Sequence, residues 1–230
     1  MAPAPADHPF TPDLFARADE DDDAIFYASA RKVVHLDERA IAAVSEFFAE
    51  HLPAGGEFLD LMASWRSHLP KRLPRKRVVG LGMNEAEMSD NPDLDAWVVH
   101  DLNERPELPF RDGEFDGGML TVSMQYLTKP IEVFRSVARC LKPAAPFIVI
   151  ISHRCFPTKA VKIWHQCQGM RERMELGMAY FSFAGGFTDV LGVDLRPSLQ
   201  PEEDPVRAII GKREGSGEAA RRSTVGWRRR

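Results

Sequence analysis

No apolar run in this sequence reaches the roughly 18 residues that a membrane-spanning helix requires. Cysteine is scarce. Three thiols, an odd number and widely spaced, argue against a disulfide framework and point to a reducing compartment, the cytoplasm by default. Neither sign of charge dominates: 30 Lys and Arg against 34 Asp and Glu leave a net charge of −4, which gives no global pull toward nucleic acid or anionic lipid. The opening MAPAPADHPF lacks the basic and apolar regions of a secretory signal. The first arginine, Arg17, is followed at once by acids, unlike an Arg-rich transit peptide. No internal repeat is visible. What is present is the composition of an ordinary globular domain, 44% hydrophobic and 28% charged, in a 230-residue chain long enough for one domain with tails.

Composition divides the chain in three. Residues 1–23, rich in Ala, Pro and Asp and ending in DEDDD, read as a disordered acidic leader. Residues 24–213 read as the domain, and 214–230, ending in an Arg cluster, as a flexible basic tail. Within the domain, helix and strand patterns alternate. Ile41, Val44, Phe48 and Leu52 recur at helical spacing behind Asp37, a natural N-cap. EFLDLM, RVVGLGM, AWVVHDL, EFDGGMLTV and PFIVIIS read as five strands, the last apolar on both faces, as an interior parallel strand should be. FLDLMASWRSHLP reads as the first strand running through a tight turn into a helix. Asn84 and Glu87 have the spacing of a capping box, and Pro130 suits the first turn of a helix whose buried face is Ile131, Phe134, Ala138 and Leu141. KAVKIWHQCQGMRERMELGM reads as one helix, and GVDLRPS and PVRAIIGKR as the last two strands. This pattern predicts an α/β fold, doubly wound, with a mostly parallel sheet and helices on both faces.

The segment LPFRDGEFDGGMLTVSMQYLTKPIEVFRSVARCLKPAAPFIVIIS, together with FLDL and RVVG, resembles class I S-adenosylmethionine-dependent methyltransferases over about residues 57–213. MASWRSHLP is similar to a glycine-free SSWxSHxP turn found in a functionally obscure subgroup of them. The resemblance implies a Rossmann-like fold and S-adenosylmethionine as cofactor. Two departures stand out. The family's D-L-G-x-G-x-G turn is here Asp60-Leu61-Met62-Ala63-Ser64-Trp65-Arg66, so Met62, Ser64 and Arg66 occupy the glycine places. Glycine there permits positive φ and close approach of backbone to ligand. Gly82 stands where the family usually has an acid for the ribose hydroxyls. Asp101, ending VVHDL with Leu102, holds the place that often contacts the adenine amino group.

The cofactor-binding set implied is Asp60, Met62, Ala63, Ser64, Trp65, Arg66, Asn84, Asp101 and Leu102. Asp60 would hold the amino end of the cofactor or cap the following turn. The Ser64 hydroxyl and the backbone N–H of Ala63 or Ser64, at a helix N-terminus, would meet its carboxylate. Arg66 would pair with that carboxylate or lie in solvent, and Trp65 would stack on a ring or fill space. Asn84 is already explained as a helix cap. Methyl transfer from a sulfonium is an in-line displacement driven by positioning, so no acid–base pair is obligatory. Tyr126 and His153, just past the fourth and fifth strands, are the weak candidates for a catalytic base. The pairs His153-x-Cys155 and His165-x-Cys167 are not read as a metal site: the first could converge on a strand, but the second, two apart on a helix, diverges. Cys155 reads as structural. The basic run KRLPRKR reads as a solvated loop, so nucleic acid is not the expected partner. The expected activity is methyl transfer to a small molecule. The alternative is a catalytically inactive fold of the same kind that senses a ligand or binds a partner.

Overall fold

The computed structural model describes residues 8–196, 200, 203–215 and 226–229. Helices α1 (Asp23–Phe26) and α2 (Glu38–His51) precede β1 (Gly56–Leu61). Next come β2 (Arg75–Gly82), α3 (Glu85–Ser89), β3 (Ala96–Val99) and β4 (Gly117–Thr121). These lead to α4 (Pro130–Cys140) and β5 (Pro146–Ser152). The chain continues through α5 (Lys162–Gln166), α6 (Met170–Ala184), β6 (Phe187–Asp194) and β7 (Val206–Arg213). A short β8 (Gly226–Arg229) follows. The strands form one sheet in the order β3-β2-β1-β4-β5-β7-β6-β8. β7 runs antiparallel to both neighbours, and the other pairings are parallel. The doubly wound, mostly parallel architecture is as the sequence predicts.

Alternation along each strand divides the core between two faces. Phe147, Val149 and Ile151 of β5 pack with Phe134 of α4 and Phe181 of α6 on one side. Ile148 and Ile150 pack with Val44, Phe47 and Phe48 of α2 on the other. Asp37 caps α2 by accepting the Ala40 N–H at 2.7 Å, and Pro130 opens α4 as expected.

Three local expectations change. No helix follows β1: residues 62–74 run irregularly to β2, with Leu69 and Leu73 buried against α2. Pro70 and Pro74 leave too short a stretch for a stable helix. The expected single helix over residues 159–178 is two, α5 and α6, because Gly169 takes φ 105° between them. The strand expected at GVDLRPS starts earlier, at Phe187, and ends at Asp194; residues 197–199 lie outside the described residues.

The two ends also differ from expectation where they are described. Residues 8–23, assigned to a disordered leader, pack on the domain; 1–7 lie outside the described residues. Phe10 packs edge-on against Tyr180 and Phe183. The acidic run is ordered by buried cations. Arg17 Nη1 pairs with Asp23 at 2.7 Å, and Lys159, fully buried, lies 3.1 Å from Asp23 Oδ1 and donates to the Asp21 carbonyl at 2.7 Å. Burial pushes the Asp23 carboxyl up, but hydrogen bonds from Asn103, Arg17 and Lys159 outweigh it and hold it below the usual range. Of the tail, Gly226–Arg229 pairs with β6 and covers what would be an open sheet edge; 216–225 and 230 lie outside the described residues.

Candidate functional site

A cavity of about 570 Å³ opens across the C-terminal ends of β1, β2, β3, β4 and β5. This edge is where open α/β sheets bind ligands, and the volume lies in the roughly 300–1,000 Å³ range of small-molecule sites. All eleven residues singled out from the sequence line it: Asp60, Met62, Ala63, Ser64, Trp65, Arg66, Asn84, Asp101, Leu102, Tyr126 and His153. Neither Met62 nor Trp65 fills it.

The first loop achieves this without glycine. Met62 itself takes φ 56°, the left-handed conformation that the first glycine would supply. His68 at φ 58° and Val122 at φ 47° also line the cavity. Such conformations cost about 1–3 kcal/mol each and persist where surrounding structure enforces them. Here the enforcement is visible. The Ala63 N–H donates to the Leu81 carbonyl at 2.9 Å, so the loop crosses directly over the end of β2. The Ala63 carbonyl then lies where a Cβ on residue 82 would come within 2.3 Å of it. Gly82 is therefore required by the loop's path, and an acidic side chain at that position is sterically incompatible with it. The two departures from the family pattern are one structural fact.

Several expected contacts prove to be internal. The Ser64 hydroxyl donates to Glu87 Oε2 rather than pointing to a ligand. Glu87 also accepts the Arg31 N–H at 2.6 Å, so it does not return to its helix cap and the expected capping box is only half formed. Asn84 does cap α3, accepting the Glu87 N–H at 2.9 Å, while its amide nitrogen donates to the Tyr27 carbonyl. The Ala63 N–H is spent within the sheet, and with no helix after β1 there is no helix N-terminus to receive an anion. Trp65 Nε1 donates to the Val33 carbonyl at 2.9 Å. The exposed Arg66 stacks on Trp65, 4.0 Å from the ring centroid, and gives its N–H to the Trp65 carbonyl at 2.6 Å. The basic run at 71–77 is charge-paired, Arg75 with Asp93 and Arg77 with Glu114.

Asp60 is buried beneath the loop, where Ser67 Oγ donates to its Oδ2 at 2.6 Å and Asn91 in turn donates to Ser67. Burial pushes its carboxyl up to about 7, only partly opposed by Ser67. Asp101 Oδ1 accepts the Asn103 N–H at 2.7 Å, while Oδ2 accepts no hydrogen bond from the described residues. Tyr126 is an unsuitable base: its hydroxyl accepts the Phe156 N–H at 2.8 Å, and burial pushes it up to about 12. His153 Nε2 lies 3.6 Å from Asp204 Oδ1, an oxygen that Arg154 already holds at 2.8 Å. Cys155 is half-buried, and burial raises its thiol, as suits a structural cysteine.

No local sequence signal marks the cavity's roof. Tyr27, Arg31, Val33 and His35 lie over it from the segment before α2. That segment is pinned by Glu87, Asn84 and Trp65 below and by Asp23 at its start. Its partners are distant in sequence and carry no local motif. Burial, reinforced by the nearby Arg154, lowers the His35 imidazole, so it is neutral at neutral pH.

A sheet of this order with a cavity over its C-terminal edge defines a class I methyltransferase fold. Residues 55–149 match the family model for a methyltransferase domain. No curated protein matches it significantly. Among solved structures, it is similar to a chain from the Haloferax volcanii Trm112 methyltransferase activator complex (15% identity, TM-score 0.57, covering 77% of this chain and 92% of that one). It is also similar to geranyl diphosphate C-methyltransferase from Streptomyces coelicolor A3(2), solved with Mg2+, geranyl diphosphate and S-adenosyl-L-homocysteine (16%, 0.53, 76% and 81%). A third is an S-adenosylmethionine-dependent methyltransferase from Thermotoga maritima (18%, 0.51, 76% and 90%). At these identities the likeness is one of fold. No helix among the described residues is long and apolar enough to cross a membrane.

Two outcomes follow. Gly82→Ala should lower stability by about 1–3 kcal/mol through the clash with the Ala63 carbonyl, and Gly82→Asp by at least as much; denaturant midpoints measure both, and a wild-type midpoint for Gly82→Asp would show that the loop has another path. For Asp60, the folded pKa lies above the unfolded one. Its contribution is therefore full at low pH and is lost as pH rises from about 4 to about 7. Asp60→Asn should gain stability relative to wild type between pH 5 and pH 8, and equal differences at the two pH values would contradict the raised pKa.

Proposed function

We propose that this protein binds S-adenosylmethionine and transfers its methyl group to a small-molecule acceptor. The observation that carries the reading is the open cavity at the ligand-binding edge of a methyltransferase domain, preserved although the glycine loop is absent. S-adenosylmethionine is the cofactor that this domain implies. The free Oδ2 of Asp101 would accept from the adenine amino group, and Leu102 would lie against the ring. Asp60, its carboxyl pushed up to about 7 by burial in the empty cavity, would ionise more fully when an ammonium group settles beside it, so its burial is offset by the ligand. Arg66, stacked but exposed, is available to the carboxylate end.

The displacement itself needs alignment and exclusion of water, which the roof segment supplies over the strand ends. Where the acceptor must lose a proton, His35 is the neutral base on the cavity wall, and His153 is the second candidate. The three free thiols fit a reducing compartment, and we place the reaction in the cytoplasm. The internal use of Ser64 and Ala63 favours the alternative of a ligand-sensing or partner-binding protein without catalysis, since those groups are not available to a cofactor.

Calorimetric titration with S-adenosylhomocysteine tests the reading. Wild type should bind, and Asp101→Ala should bind about tenfold more weakly, the loss of one hydrogen bond to a charged group. Absence of heat and of any melting-temperature shift at millimolar ligand would leave the fold without this function.

A further inference from the structure

We infer that the cavity receives an acceptor carrying an anionic group, a carboxylate or a phosphate, and that Arg31 is the residue that reads it; the word acceptor rests on the methyl-transfer reading, but the anion site does not. Arg31 lines the cavity from its roof. Its guanidinium carbon lies 4.4 Å from the Phe26 ring centroid and 5.5 Å from that of Phe156. The side chain makes one hydrogen bond, a long one from Nη1 to the Ser29 carbonyl at 3.5 Å. No carboxylate lies within ion-pair distance of it among the described residues. Stacking fixes the plane of a guanidinium and leaves its edge donors free, which is the geometry that takes a carboxylate or phosphate two-pronged.

The other cavity arginines have other roles. Arg154 holds Asp204 at 2.8 Å, and Arg66, stacked on Trp65 with Nη1 on backbone carbonyls, is the one assigned above to the carboxylate end of the cofactor. Most of the cavity's acids are engaged as well, Asp101 through Oδ1 alone. Asp23 is neutralised by Arg17 and Lys159, and Glu87 accepts from Ser64 and from the Arg31 backbone rather than from its guanidinium. Asp60 lies beneath the first loop, bonded to Ser67. On Arg31's side, then, positive charge is left without a counterion. His35 packs edge-on to Phe156 at 5.5 Å, and Tyr126 stacks on Phe156 at 5.7 Å and 26°. Cation and aromatic rings together form a wall suited to an aryl or similarly flat anion. An amine acceptor on this wall would meet Arg31, which has no carboxylate within ion-pair distance among the described residues.

The test titrates phenyl phosphate, benzoate and benzylamine into wild type, Arg31→Met and Arg31→Lys, each with and without S-adenosylhomocysteine. Wild type should prefer the two anions to benzylamine by about tenfold or more, and the stronger of the two identifies phosphate or carboxylate. Arg31→Met should weaken the anions about tenfold while S-adenosylhomocysteine affinity stays within about twofold, and Arg31→Lys should restore part of the loss. Circular dichroism checks that the variants fold; should Arg31→Met not fold, a weaker hold of Arg31→Lys on phenyl phosphate than wild type carries the same conclusion. Benzylamine binding as tightly as benzoate, or anion affinity unchanged in the Arg31 variants, would overturn the inference. Anion binding that persists when S-adenosylhomocysteine does not bind would sink the methyl-transfer reading and leave the anion site standing.

Discussion

The Ala63 carbonyl resting on Gly82 is the contact on which the rest of the site depends. It forces residue 82 to lack a side chain and so removes the place for a ribose-binding acid. It also carries the loop across β2 with Met62 in a left-handed turn, buries Asp60 beneath Ser67, and sends residues 62–74 to β2 without a helix. A glycine loop followed by a helix offers a ligand bare backbone and a dipole. This corner offers side chains held by other side chains, and the cavity survives because the loop's polar atoms are satisfied inside the protein.

The roof is the second half of the arrangement. The fifteen residues from Asp23 to α2 would be a poor lid by themselves, since they include only one short helix and expose Ile25, Val33 and Val34. They are held at both ends by polar anchors. Asp23 is gripped by Arg17, Lys159 and Asn103, and further along the Arg31 N–H sits on Glu87. Glu87 thereby connects loop and roof, accepting from Ser64 on one oxygen and from Arg31 on the other. Substituting either partner would leave a buried donor or acceptor unpaired, which costs more than the bond itself contributes.

Most of the fold was legible because apolar runs and turn residues are local signals. β1, β2, β4 and β5 lie where their runs predict, and Asp37, Asn84 and Pro130 begin the helices they were expected to begin. The candidate residues converge on one cavity because they sit at the C-terminal ends of parallel strands, which the topology alone brings together. Their individual bonds were not legible. Ser64 meets Glu87 across 23 residues, Trp65 meets Val33 across 32, and Arg31 meets Glu87 across 56. Pro70 and Pro74 were a readable sign against the helix after β1. Nothing local marked Arg31, whose isolation from carboxylates is a property of the packed structure.

A crystal structure of the protein with S-adenosylhomocysteine tests the central claim most directly. The account predicts the nucleoside between the first loop and Asp101, with the Ala63 carbonyl still on Gly82 and Met62 still left-handed. A loop that rewinds into a helix when the ligand binds, or a ligand bound elsewhere while Trp65 closes the cavity, would contradict it.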